Sequence, residues 1–141
     1  MSEPALPKVL IITYYWPPSG GAGVQRWLKT VKYLRQYGWE PVIYTPLNPE
    51  SPSLDDSLLK DIPDGLEIIR RPIWEPYLLY KKFVGLQKDD RINAGFLSEK
   101  KKPGVAEKIS VWLRGNLFIP DARKFWIKPS IRFLTSYLKK H

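Results

Sequence analysis

The chain opens with a run of apolar residues, continues through a glycine-rich turn, and then changes to a helical period. Residues 9–15 (Val9, Leu10, Ile11, Ile12, Thr13, Tyr14, Tyr15) are rich in β-branched and aromatic side chains without strict alternation. Such a run predicts a strand buried on both faces of a parallel sheet. Pro17 and Pro18 end it, because neither can donate to a strand ladder. Gly20, Gly21 and Gly23 follow. From Val24 the period becomes helical: Val24, Trp27, Leu28, Val31 and Leu34 fall on one face, while Arg26, Lys29, Lys32 and Arg35 lie off it. Gly38 suits the left-handed residue that closes many helices. Residues 40–45 return to a strand pattern. The opening is therefore a β-loop-α-β unit, with a glycine loop at the carboxyl end of a buried strand, where open α/β sheets bind ligands.

Beyond residue 45 the pattern weakens. Pro46, Pro49, Pro52 and Pro63 punctuate a connection in which residues 54–61 suit a helical turn or two, with Ser53 as N-cap and Asp55 and Asp56 in the first turn. Asp64-Gly65 marks a turn, and residues 66–71 read as a third strand. Residues 75–88 predict a helix with Pro76 in its first turn, suited either to a core or to a bilayer surface. Residues 87–104, with Lys100-Lys101-Lys102-Pro103-Gly104, have the composition of a mobile loop. A short helix is expected over 105–114, then an irregular stretch to Trp126. A final helix carries Pro129 near its start and a stripe of Ile127, Ile131, Leu134 and Leu138. The expected class is α/β: a Rossmann-like open parallel sheet with flanking helices.

Composition adds two things. The 141 residues include no cysteine, which excludes a disulfide framework and thiol chemistry, and 43% are hydrophobic, enough for a core. No basic segment followed by an apolar core marks a secretory signal, and no apolar stretch is long enough to span a bilayer. The expected location is therefore cytoplasmic. The net charge of +9 is unevenly spread: residues 1–69 carry −2 and residues 70–141 carry +11. The basic half also holds Trp74, Trp112, Trp126 and eight Phe or Tyr residues. Cations among aromatics suit an anionic partner, either a membrane surface or a nucleic acid.

The candidate chemistry is binding chemistry. Loop amides and a helix N-terminus at Gly20, Gly21, Ala22 and Gly23 favour an anion. No Gly-Lys-Ser/Thr follows, so the loop is not a Walker A motif. The third position of a dinucleotide fingerprint holds Arg26, and no acid ends the second strand, which argues against a nicotinamide cofactor. Asp121, Arg123, Lys124 and Trp126 could line a sugar or phosphate site, or equally fix a surface loop. The one histidine, His141, has no role assigned, and neither a metal-ligand cluster nor a Gly-x-Ser-x-Gly elbow is present. No catalytic residue, metal or cofactor is expected within these residues.

Residues 9–15, Pro17-Pro18, Gly20-Gly21-Ala22-Gly23 and the helix over 24–37 together resemble the amino-terminal domain of retaining glycosyltransferases of the GT-B fold, the large GT4-type family. The segment Phe118-Ile119-Pro120-Asp121 with Trp126 is similar to a stretch in bacterial members. The resemblance implies a two-domain enzyme that transfers a sugar from a nucleotide-sugar donor to a glycan or lipid-linked acceptor. Residues 1–141 would be the acceptor-side domain, truncated, with the nucleotide-sugar domain absent. It also implies that Gly20, Gly21, Ala22 and Gly23, with Gln25 and Arg26, lie near the donor's diphosphate and transferred sugar; Asp121, Arg123 and Trp126 are the candidates for an acceptor site. The family's paired-glutamate motif and first-domain histidine are not found here, so the fragment alone is expected to be inactive. Many members work at the cytoplasmic membrane face, which the basic, aromatic half would suit. The competing expectation is a stand-alone basic module for nucleic acid, although no usual recognition motif is visible.

Overall fold

The computed structural model describes residues 6–73 and 123–140. The elements expected over 75–88, 87–104 and 105–114, and most of the irregular stretch before Trp126, lie outside the described residues. The chain divides into two compact units, Met1–Pro72 and Ile73–His141.

The first unit is an open α/β layer. Strand β1 (Lys8–Ile12), helix α1 (Ala22–Leu34), β2 (Glu40–Pro46) and β3 (Glu67–Arg71) follow in order. A 3-10 turn over Arg35–Tyr37 ends α1, and a second over Asp56–Asp61 lies between β2 and β3. The sheet has the order β1-β2-β3, with both pairs parallel. Ile11 of β1 faces Ile43 of β2, which faces Ile68 of β3. This row packs with Trp16, with Val24, Leu28 and Val31 of α1, and with Leu58 of the second 3-10 turn. The opposite face of β2 is buried too, at Val42 and Tyr44.

Three details depart from the expected elements. β1 stops at Ile12 rather than Tyr15, and Ile12 is 53% exposed. Among the described residues β1 is an edge strand, so its apolar run is covered less fully than that of β2. Trp27 is half exposed, because its place on the margin of the Val24–Leu28–Val31 stripe takes it off the sheet. Asp55, not Ser53, caps the second 3-10 turn: its carboxylate accepts from the Ser57 amide at 3.1 Å. Gly38 closes the first 3-10 turn at φ 78°, as its position predicts.

Arg35 ties the far end of the layer together. Its Nε and Nη2 donate to the two Glu40 carboxylate oxygens at 2.9 and 2.7 Å. Nη1 donates to the Asp64 carbonyl at 2.7 Å, and Nη2 also reaches the Gly65 carbonyl at 3.3 Å. One guanidinium thus joins the end of α1, the start of β2 and the turn before β3. The hydrogen bonds from Arg35 hold the Glu40 carboxyl below the usual glutamate range. Asp61 is likewise held low by hydrogen bonds from Lys29 and Lys32, which pin its turn to α1.

A carboxyl group with a depressed folded-state pKa stabilises the fold at pH values above its unfolded pKa. That contribution fades as pH falls through the folded pKa. Stability should therefore drop below about pH 4, the ordinary glutamate range. Urea denaturation of Glu40→Gln should show a smaller loss between neutral pH and about pH 3 than the wild type. An unchanged pH profile would mean the Arg35 pair contributes nothing.

In the second unit the described element is helix α2 (Lys124–Leu138). It starts five residues before Pro129, which therefore lies inside the helix rather than near its start. Pro129 has no N–H for the carbonyl four residues earlier. Ser130 and Leu134 are its buried residues, whereas Ile127, Ile131 and Leu138 of the expected apolar stripe face outward.

Candidate functional site: the glycine loop at the carboxyl end of the sheet

The segment from Thr13 to Gly21 leaves the carboxyl end of β1 and is held by backbone bonds from several directions. The Thr13 amide donates to the Tyr44 carbonyl at 3.0 Å, and the Ser19 amide donates to the Trp16 carbonyl at 3.0 Å. The Tyr15 hydroxyl reaches the Glu50 carbonyl at 3.3 Å. Ser19 and Leu54 form an isolated antiparallel bridge. On either side of it the Gly20 amide donates to the Ser53 carbonyl at 2.9 Å, and the Asp55 amide donates to the Pro18 carbonyl at 2.8 Å. The segment Ser53–Leu54–Asp55 thus lies alongside the loop as a short strap. Arg70, near the carboxyl end of β3, donates from Nη2 to the Pro17 carbonyl at 3.2 Å. The peptide between Pro17 and Pro18 is cis.

The three glycines answer to different constraints. Gly20 sits in tight space: a Cβ there would lie 3.0 Å from Ser53 Oγ and 3.3 Å from Asp55 Cβ, so the strap would have to give by a few tenths of an ångström. Gly21 is needed for backbone conformation. It is the N-cap of α1 at φ 106° and ψ 162°, a region only glycine enters readily. Gly23 is needed for neither. It is helical, its φ is not positive, and a Cβ there would meet nothing within 4 Å. A glycine inside a helix costs about 0.5–1 kcal/mol relative to alanine. Among the described residues nothing accounts for it.

The electrostatics of this end of α1 follow from what its first turn lacks. The leading amides of a helix have no partner within the helix. The first helical bond here runs from the Gln25 amide to the Gly21 carbonyl at 3.1 Å. Gly21 has no side chain with which to cap the amides, and no acidic residue stands in the first turn. The positive end of the α1 dipole is therefore not offset by a cap or an acid within that turn. Gly21, Ala22, Gly23, Gln25 and Arg26 are all exposed, and Gly20 is half-buried beneath the strap. This arrangement can accept an anion through backbone amides.

The structure thus brings Gly20, Gly21, Ala22, Gly23, Gln25 and Arg26 together on one loop and the first turn it opens. The other expected group divides. Asp121 lies outside the described residues. Arg123 and Trp126 stand at the start of α2, where the Trp126 amide donates to the Arg123 carbonyl at 2.9 Å. Both belong to the second unit, whereas the loop belongs to the first. Reading the sequence missed Arg70 and the Ser53–Asp55 strap as supports of the loop. Arg70 could have been found as a cation at the carboxyl end of a parallel strand. The strap had no such mark. Among the described residues no cluster of His, Cys, Asp or Glu side chains forms a metal site. Comparison with known proteins adds nothing to this geometry: no family model, no curated protein and no solved structure matches the chain.

Proposed function

We propose that these residues are the acceptor-side, Rossmann-like domain of a GT-B, GT4-type glycosyltransferase. The full protein transfers a sugar from a nucleotide-sugar to a glycan or lipid-linked acceptor, at the cytoplasmic face of the membrane as a peripheral protein. The diphosphate and transferred sugar of the donor come up to Gly20, Gly21, Ala22 and Gly23. The nucleotide is held by a second domain outside this chain, so the fragment binds donor weakly and does not turn over. Parallel strand order and the glycine loop at the carboxyl end of β1 support the reading.

The observation that carries it is Gly23. Among the described residues nothing requires a glycine there, and a helix start without a side chain leaves room for a ligand to approach the amides. Gly23→Ala is therefore expected to raise stability, by about 0.5–1 kcal/mol, and to weaken pyrophosphate binding. Thermal denaturation with and without pyrophosphate measures both. If Gly23→Ala is stabilised and gains as much from pyrophosphate as the wild type, the loop is not the donor site.

A further inference from the structure

Helix α2 turns an unexpected face outward. Ile127, Ile131 and Leu138 are 54, 60 and 60% exposed. At about 100° per residue they lie within a single arc of about 40°. On one side of this row run the buried Ser130 and Leu134. On the other run Lys124 and Lys128, with Arg132 beyond them. Trp126, Phe133 and Tyr137 are half-buried rather than presented. From residue 123 to residue 140 there are six Lys or Arg and no Asp or Glu.

We propose that this row is the surface by which the protein lies on an anionic bilayer. The aliphatic side chains enter the acyl boundary, and Lys128 and Arg132, with Lys139 and Lys140 at the helix end, meet the headgroups. Long cationic side chains can do this while their stems cover apolar surface. Charge selects this occupant over others. The core of a protein interface is depleted of charge, whereas a line of cations beside a narrow apolar row fits an anionic lipid surface. A single-stranded nucleic acid would be met by several exposed aromatics on which bases stack, whereas here Phe125 is the one exposed aromatic of α2, apart from the row, and the row itself is aliphatic. Among the described residues no helix is long and apolar enough to cross the membrane, so α2 lies on it. The proposal deepens the peripheral-membrane part of the reading above, and rests on it only for the lipid-linked acceptor.

Flotation of the full chain with phosphatidylglycerol-containing vesicles tests it, with pure phosphatidylcholine vesicles as the comparison. Binding is expected to the anionic vesicles alone, and to weaken steeply at about 0.5 M salt. Ile127→Ser/Ile131→Ser should lower it about tenfold. Lys128→Ser should lower it about fivefold. Lys60→Ser, which removes an exposed charge from the first unit, should leave it unchanged. No flotation with anionic vesicles overturns the proposal, as does flotation that the isoleucine pair leaves intact. Capture by single-stranded DNA that persists at about 150 mM salt, with no vesicle binding, replaces it with the nucleic-acid module. The assay contains no nucleotide-sugar, so its failure leaves donor binding at the glycine loop untouched.

Discussion

Trp16→Ala is expected to lower the stability of the first unit by about 3–5 kcal/mol, the range for removing a large aromatic from a core. Trp16 is almost fully buried and packs with Ile11, Val24, Leu28, Val31, Ile43 and Leu58, so its ring joins strand, helix and 3-10 turn. The loss would be a large share of the total stability of a small domain. Trp16→Phe should behave differently. The indole Nε1 is buried without a hydrogen-bond partner, so the native fold already bears the desolvation of that donor. Phenylalanine removes the donor along with part of the ring volume, and the two effects oppose each other. The expected net cost is no more than about 1 kcal/mol. Urea denaturation followed by circular dichroism measures both variants. Equal damage from the two would show that the indole N–H makes a bond the fold depends on.

Gly21→Ala is the second large effect. At φ 106° and ψ 162° the backbone of Gly21 occupies a region closed to a side chain by contact with its own peptide groups. Forcing alanine into it costs about 1–3 kcal/mol. The loop can avoid that cost only by turning the peptide at the start of α1. That would move the Gly21 carbonyl, which accepts the first helical bond from Gln25. Gly21→Ala should therefore lose both stability and anion binding, whereas Gly23→Ala should gain the first and lose the second. Gly38→Asn serves as the control. At φ 78° and ψ 24° it lies in the left-handed region that asparagine tolerates, and the expected change is a few tenths of a kcal/mol. If Gly21→Ala melts with the wild type, the strained turn at the start of α1 is wrong.

The α/β class and the order of the first elements were legible because each had a strong local signal. The β-branched run at Val9–Ile12, the stripe Val24–Leu28–Val31 and the glycine at 38 point to one arrangement, and the parallel order follows from an α-helix joining β1 to β2. Burial was less legible. β1 and β2 have similar apolar runs, yet Ile12 is half exposed while Ile43 and Tyr44 are buried, because burial depends on which neighbours a strand has in the sheet. The same holds for α2. Its aliphatic stripe is as regular as that of α1, but the aromatic side with Ser130 and Leu134 is turned inward instead. Periodicity marks an apolar face without saying which of two apolar faces the protein covers.

The site was half legible. Gly20, Gly21 and Gly23 stood out as a group, but no residue count could separate the one in tight space, the one needed for conformation and the one needed for neither. That distinction comes from the strap, a contact across more than thirty residues between Gly20 and Ser53. The same strap explains why Asp55 displaces Ser53 as cap. The Ser53 carbonyl is taken by Gly20, and the chain turns only after Asp55 has bonded to Pro18.

The most direct test of the account is a titration of the ¹⁵N-labelled chain with a nucleotide-sugar such as UDP-glucose, followed amide by amide. The account predicts weak, saturable shifts that are largest at Gly21, Ala22 and Gly23, where the leading amides of α1 stand open, with smaller shifts at Gly20 beneath the strap. Shifts confined to the basic residues of α2, or no shift at the loop at millimolar donor, would contradict it.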